Sequence, residues 1–371
     1  MKKITSIIGC LLLFTFAIGL IIAESRAIRN FIFYKSGFTP KEIFSLNDNI
    51  NSVAPEGAFE KRVELFKQID DLAKRSVKGS GFSSNIYSLV KIRLDRALAE
   101  IPKTQVAKGK VKVWYIYNMG IIAKTSEVTV AFDLAGTYVY ADMPDFAKYI
   151  DILMITHFDG DHFDLPVVRE ALKDGATVII PGDTMSFRGQ EFGRDPNGVD
   201  AVSLIKKRNS ISSDHLISLS PHEPTIVKGV EITAYPAIHI HDPEEEGSFV
   251  NPPLNCYYVD LSGFKIVHAG DAESVNDRAD LANKTVDLFT FHSTTIDPRT
   301  NESLMKLVPN AKTIFPLHVL ELGHGSVIVD KSQLWYMNYQ SILDNYANGY
   351  YKSPSGKARF MPMIWGEGIL L

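Results

Sequence analysis

His157, Asp159, Asp161 and His162 fall within six residues, in the run Ile155-Thr156-His157-Phe158-Asp159-Gly160-Asp161-His162. Imidazoles and carboxylates are ligands for borderline divalent ions, and their alternation in one turn lets two pairs point at two neighbouring ions. Gly160 relieves the backbone where such a turn must bend. The run begins as Ile152-Leu153-Met154-Ile155-Thr156 ends, and that apolar stretch reads as a strand buried on both faces. The expectation is a metal-binding loop at a strand end, weighed against an acidic surface turn with incidental histidines.

Further Asp and His residues follow short β-rich runs. Asp133 closes Glu127–Asp133, and His239 ends Pro236-Ala237-Ile238-His239 after the strand expected over 231–235. Asp271 ends His268-Ala269-Gly270-Asp271 after 265–267, and His318 ends Phe315-Pro316-Leu317-His318 after 313–315. His241 projects to the same side as His239 and could take its place. His268 is read as packing at a strand end or supporting a ligand. His292 and His324 are read as exposed, and Asp164 as a loop or helix-cap residue. Asp242 and Glu244 to Glu246 read as a solvated acidic loop.

The segment around His157 resembles the His-x-His-x-Asp-His signature of the metallo-β-lactamase fold superfamily, and the remaining elements follow in that family's order over about residues 106–325. Within it the chain looks closest to the L-ascorbate-6-phosphate lactonase-like and N-acyl-phosphatidylethanolamine phospholipase D-like branch. The resemblance implies an α/β fold, a four-layer αββα sandwich with the site on the edge between its sheets. It implies two divalent ions, zinc ahead of manganese or iron. His157, Asp159 and His239 would hold one, Asp161, His162 and His318 the other, with Asp271 between them. Asp133 would fix a ligand histidine through its other ring nitrogen, and Asp161 would orient the reacting water or take its proton. Asp159 departs from the pattern, since the family usually has His there; a carboxylate is a harder ligand and adds negative charge.

Two such ions about 3.5 to 4 Å apart can acidify a bridging water and polarise a scissile oxygen, with no Ser or Cys nucleophile. The expected function is an exported binuclear hydrolase using a metal-bound hydroxide on an ester, lactone, amide or phosphodiester. The alternative is a non-catalytic metal-binding protein on the same fold, and a redox-active iron enzyme is a further rival.

The 371 residues are 45% hydrophobic and 22% charged, ordinary globular composition with chain enough for a large core. Net charge is −4 from 39 basic and 43 acidic residues, and no run of five Lys or Arg offers a track for phosphates, which argues against a nucleic-acid partner. A small-molecule or lipid-like substrate is expected instead. Lys2-Lys3 followed by the uncharged run Ile7–Ala23 reads as an export signal or N-terminal anchor over 1–27. Its length permits cleavage after Ala27 or retention, so the expected location is periplasmic or extracellular, or at a membrane through 7–23. Beyond that point Cys256 is the single cysteine, which excludes an internal disulfide in the exported body.

The elements that must position the ligands read as follows. A helical extension spans 28–105, with amphipathic helices paired over 54–101. The hydrolase domain spans 106–371, with strands at 111–117, 127–133, 152–156, 178–180, 231–235, 256–260, 265–267 and 313–315. Helices are expected near 145–150, 165–173, 275–283 and 301–307, an irregular insertion over 182–213, and a covering helix and final strand after Lys331.

Overall fold

The computed structural model describes residues 41–78, 81–82, 84–182, 185–187, 190–192, 201–239, 254–275, 278–293, 298–322 and 338–371. Segment 1–27, the start of the extension to residue 40, His241, the acidic residues 242–246 and His324 lie outside them. No helix among the described residues is long and apolar enough to cross a membrane.

Two mixed sheets share one hydrophobic core. The first orders its strands as Leu216–Ile217, Thr177–Ile179, Ile152–Met154, Thr129–Phe132, Ile121–Lys124, Lys112–Tyr115 and Gly368–Leu370. Ile152–Met154 is wholly buried between parallel neighbours, as its unbroken apolar character requires. The second sheet runs Thr225–Val227, Val230–His239, Leu254–Leu261, Phe264–His268, Val286–His292, Ala311–Leu317 and Arg359–Phe360, with Ala272–Val275 paired to Val230–His239. The last strand returns to the first sheet, with Ile369 opposite Val113. The chain adopts the expected α/β sandwich with N-terminal helices.

Several elements differ from the sequence reading, among them one strand and two helices. Lys41–Ser52 is a helix although its Asn, Asp and Ser content is poor in helix propensity; burial of Ile43, Leu46 and Ile50 on one face overrides that. Val286–His292 is a strand with almost every side chain buried, so it lacks the alternation that marks a half-exposed strand. Ala201–Asn209 forms a helix inside the stretch expected to be irregular, fixed by burial of Ala201 and Ile205.

The N-terminal helices are tied to the sandwich by buried polar contacts. Arg62, in the helix Phe59–Ser76, donates to Glu367 Oε2 at 2.7 Å and to the Pro362 carbonyl at 3.1 Å. Arg93, in the helix Ser84–Glu100, donates to the Trp365 carbonyl at 3.0 Å. Tyr87 in the same helix donates to the Leu322 carbonyl at 3.2 Å, and the Leu322 amide donates to Tyr117 Oη at 2.7 Å. The segment just past His318 is thereby gripped from both sides.

The two sheets meet at Thr156 and Gly270. Gly270 has φ of 55°, and a Cβ there would lie 2.6 Å from Thr156 Oγ1. The Asn255 amide donates to the Thr156 carbonyl at 2.9 Å, and Tyr257 Oη to the Ile155 carbonyl at 2.9 Å. Gly270→Ala should therefore lower stability by ~1–3 kcal/mol through forced overpacking. Urea unfolding measures this, and an unchanged midpoint and slope would show that the strand ends are not in contact.

Asp70 caps the helix Tyr339–Ala347 from outside, accepting from the Tyr339 amide at 3.1 Å and the Gln340 amide at 2.8 Å. Burial pushes its carboxyl up to about 6, against the pull of those two amides and of Lys74. Raised in the folded chain, this group gives stability that is full below its ordinary value of 3.8 and lost as pH rises through about 6. Asp70→Asn removes that loss, so the variant should gain on the parent between pH 4 and 7, by up to about 3 kcal/mol. Melting curves across that range test it; a difference constant with pH would contradict it.

Candidate metal centre

Every predicted ligand lies at a strand end or in the loop that follows it. Ile152–Met154 leads into the loop with His157, Asp159, Asp161 and His162, and Thr129–Phe132 leads into Asp133. From the second sheet come His239 ending Val230–His239, Asp271 after Phe264–His268, and His318 after Ala311–Leu317. Parallel strands carry their carboxyl ends to one edge, where α/β sheets place their ligands.

These side chains converge as two groups that share Asp271. The donor atoms of Asp161, His162, Asp271 and His318 lie within 4.8 Å of one another, as do those of His157, His239 and Asp271. In the first group His162 Nε2 is 3.3 Å from Asp161 Oδ2 and from Asp271 Oδ1. His318 Nε2 is 3.0 Å from Asp161 Oδ2 and 3.7 Å from Asp271 Oδ2. In the second, His239 Nε2 lies 3.2 Å from His157 Nε2 and 3.9 Å from Asp271 Oδ2. Asp159 Oδ2 reaches the same two imidazoles, at 3.3 Å from His157 and 3.4 Å from His239.

The residues fit metal ions. His162 Nε2 and Asp271 Oδ1 are buried without a hydrogen-bond partner among the described residues, although each faces the other. Buried polar atoms are ordinarily satisfied, and a cation among these donors would satisfy both. The mixed imidazole and carboxylate set suits zinc, manganese or iron.

Hydrogen bonds behind the cluster set the tautomers. Asp133, fully buried with φ of 44°, accepts at Oδ1 from the Thr156 amide and at Oδ2 from Thr156 Oγ1, both at 2.7 Å. His162 Nδ1 donates to Asp133 Oδ2 at 2.9 Å, which leaves the Nε2 lone pair facing the group. His157 Nδ1 donates to Thr156 Oγ1 at 3.0 Å with the same result. Asp133 thus stands where a support for a ligand histidine was expected.

Burial opposes every charge here, and the neighbours decide its sign. Burial would raise the Asp133 and Asp271 carboxyls, but His162 in both cases, with His268 at Asp133 and His292 and His318 at Asp271, holds them well below the usual range. Asp159 is likewise held low against burial by His157 and His239. Burial would lower the imidazoles; His162 is instead raised by Asp271, Asp161 and Asp133, and His318 by Asp271 and Asp161. His157 stays low through burial and the nearby His162.

Several residues escaped the sequence reading. Asn118, buried at φ of 53°, donates from Nδ2 to Asp161 Oδ2 at 2.6 Å, and its carbonyl accepts from the His318 amide at 3.0 Å. A polar residue between the strand Lys112–Tyr115 and Gly120 was its only signal. His292 is buried rather than exposed, its ring centroid 4.1 Å from that of His318; burial and His318 push it down to about 3. Its strand Val286–His292 brings it there. Asp164 does stand at a helix start, but its carboxylate accepts from the Gly136 and Thr137 amides, at 3.1 and 2.8 Å.

Residues 134–315 match the family model described as a beta-lactamase superfamily domain. A UPF0173 metal-dependent hydrolase of Pyrococcus furiosus is 28% identical over 162 residues, covering 43% of this chain and 61% of that protein. The chain thus matches less than two thirds of that relative's length. Among solved structures, the metallo hydrolase Igni18 of Ignicoccus hospitalis aligns with TM-score 0.46 at 15% identity, over 71% of this chain and 98% of that one. The metallo-beta-lactamase fold protein YhfI of Bacillus subtilis aligns with TM-score 0.46 at 13% identity, over 71% and 100%. Residues 134–315 are thus similar to a beta-lactamase superfamily domain, and the strand-end cluster of imidazoles and carboxylates lies within and just beside that stretch.

Proposed function

We propose that this chain is an exported hydrolase that works with two divalent metal ions. The observation that carries the reading is Asp271, whose two carboxylate oxygens reach into both donor groups. His157, Asp159 and His239 would hold one ion, and Asp161, His162 and His318 the other. Ions held there would supply a water acidified towards neutrality and an electrophilic partner for the scissile carbonyl or phosphoryl oxygen.

The chain's own groups do the rest. Asn118 Nδ2 holds the Asp161 carboxylate, which would orient a water supplied by such ions and accept its proton. Asp133 and Thr156 hold His162 and His157 in the tautomers that present Nε2. The substrate is an ester, lactone, amide or phosphodiester of a small or lipid-like molecule. Asp159 favours harder ions than a histidine would, so zinc is joined here by manganese or iron.

Elemental analysis of the purified chain and a hydrolysis panel of nitrophenyl esters, lactones and bis(nitrophenyl) phosphate test this. The parent should hold about two ions, His162→Ala about one, and Asp271→Ala well under one. Asp159→His should shift preference from manganese towards zinc by about tenfold or more. Turnover of at least one probe class should fall by about 100-fold in Asp271→Ala. Less than about a tenth of an ion in the reconstituted parent would overturn the site. Two ions without turnover of any probe would favour the non-catalytic alternative.

Lys2-Lys3 and the uncharged run 7–23 support export. N-terminal sequencing of the protein recovered outside the cytoplasm should begin at residue 28 if the segment is cleaved or at Met1 if it anchors. Recovery in the cytoplasm alone would contradict export.

A further inference from the structure

Asp133 Oδ2 has a third donor that the site described above does not use. His268 Nε2 lies 3.0 Å from it, alongside Thr156 Oγ1 at 2.7 Å and His162 Nδ1 at 2.9 Å. His268 belongs to the second sheet, whereas Asp133 and His162 follow strands of the first. The contact therefore crosses between sheets directly behind the ligand His162.

The other side of the His268 ring is also engaged. Its Nδ1 lies 2.7 Å from Thr290 Oγ1. The register explains this: His268 pairs directly with Thr290 across the parallel strands Phe264–His268 and Val286–His292, and the Ala269 amide donates to the Thr290 carbonyl at 2.9 Å. The ring face stacks on Phe132, with centroids 4.8 Å apart and 28° between planes. A fully buried imidazole held at both nitrogens and one face has a single orientation.

The proton positions follow from the partners. An ionised carboxylate only accepts, so His268 carries hydrogen on Nε2 and donates it to Asp133. Its Nδ1 then faces the Thr290 hydroxyl, which also reaches the Val267 carbonyl at 3.4 Å. The order Thr290 to His268 to Asp133 fixes where the Oδ2 lone pairs point, and His162 Nδ1 takes one of them. Packing alone would be served by an apolar side chain, and would not place a donor at each end of this line.

We propose that His268, fixed by Thr290, is a positioning residue that holds Asp133 for His162, and so sets the affinity of the group formed by Asp161, His162, Asp271 and His318. The inference rests on that group binding an ion. Partners of this kind, one bond behind a ligand, typically contribute 10- to 100-fold in metal affinity.

Zinc titration of the full chain against a chromophoric chelator tests it, with two binding steps resolved in the parent. The step abolished by His162→Ala identifies the group. His268→Leu, which keeps bulk and removes both ring nitrogens, should weaken that step by about tenfold or more and leave the other within about twofold. His268→Gln, which retains an amide donor towards Asp133, should recover part of the loss. Thr290→Val should weaken the same step by a smaller factor, and serves as the second probe if His268→Leu does not fold. The cobalt-substituted absorption spectrum of the affected group should change in His268→Leu and return towards the parent in His268→Gln. Unchanged affinity in folded His268→Leu, or in Thr290→Val where His268→Leu does not fold, would overturn the proposal. Equal weakening of both steps without rescue by Gln would also overturn it and leave a purely structural role. A parent that binds no zinc would overturn the metal-centre reading instead.

Discussion

The close approach of Thr156 to Gly270 is the constraint on which the rest of this molecule depends. One stands at the end of a strand in the first sheet and the other at the end of a strand in the second. They touch because Gly270 has no side chain and accepts φ of 55°. That contact brings Asp271 from one sheet among the histidines of the other. The same Thr156 gives its amide and hydroxyl to Asp133, so the residue that joins the sheets also organises the buried carboxylate behind the ligands. Sheet packing and ligand geometry are one arrangement.

The outer layers serve that junction. Arg62 and Arg93 tie the N-terminal helices to the turn before the last strand, and Tyr87 reaches from the helix Ser84–Glu100 to Leu322, four residues beyond His318. Asn118, in the turn between Lys112–Tyr115 and Ile121–Lys124, holds Asp161 with its side chain and His318 with its carbonyl. The loops that carry Asp161 and His318 are therefore held by elements distant in sequence. Preorganisation of this kind keeps imidazoles and carboxylates converging where mutual repulsion and desolvation would otherwise separate them.

How much of this is legible in the sequence follows from the range of the interactions. His157, Asp159, Asp161 and His162 announce themselves because four donors share one loop, and the strand before them is an unbroken apolar run. Asp271, His239 and His318 are readable only through the family resemblance, whose elements follow short strands in this order, and the α/β architecture by its alternation of elements. Asn118, His292 and Thr290 are not, since each acquires its partners through a strand register or turn that brings remote segments together. Val286–His292 hides because burial on nearly all sides erases alternation, and with it goes the signal that would have placed His292 inside. Lys41–Ser52 hides for the opposite reason: its composition is polar, and only packing of Ile43, Leu46 and Ile50 makes it a helix.

The central claim is that two ions sit on either side of Asp271. Anomalous diffraction at the zinc edge, from crystals grown with zinc, tests it most directly. The account predicts two peaks within about 4 Å of each other, one among His157, Asp159 and His239 and the other among Asp161, His162 and His318, with Asp271 touching both. A single peak away from Asp271, or none at this edge of the sandwich, would contradict it.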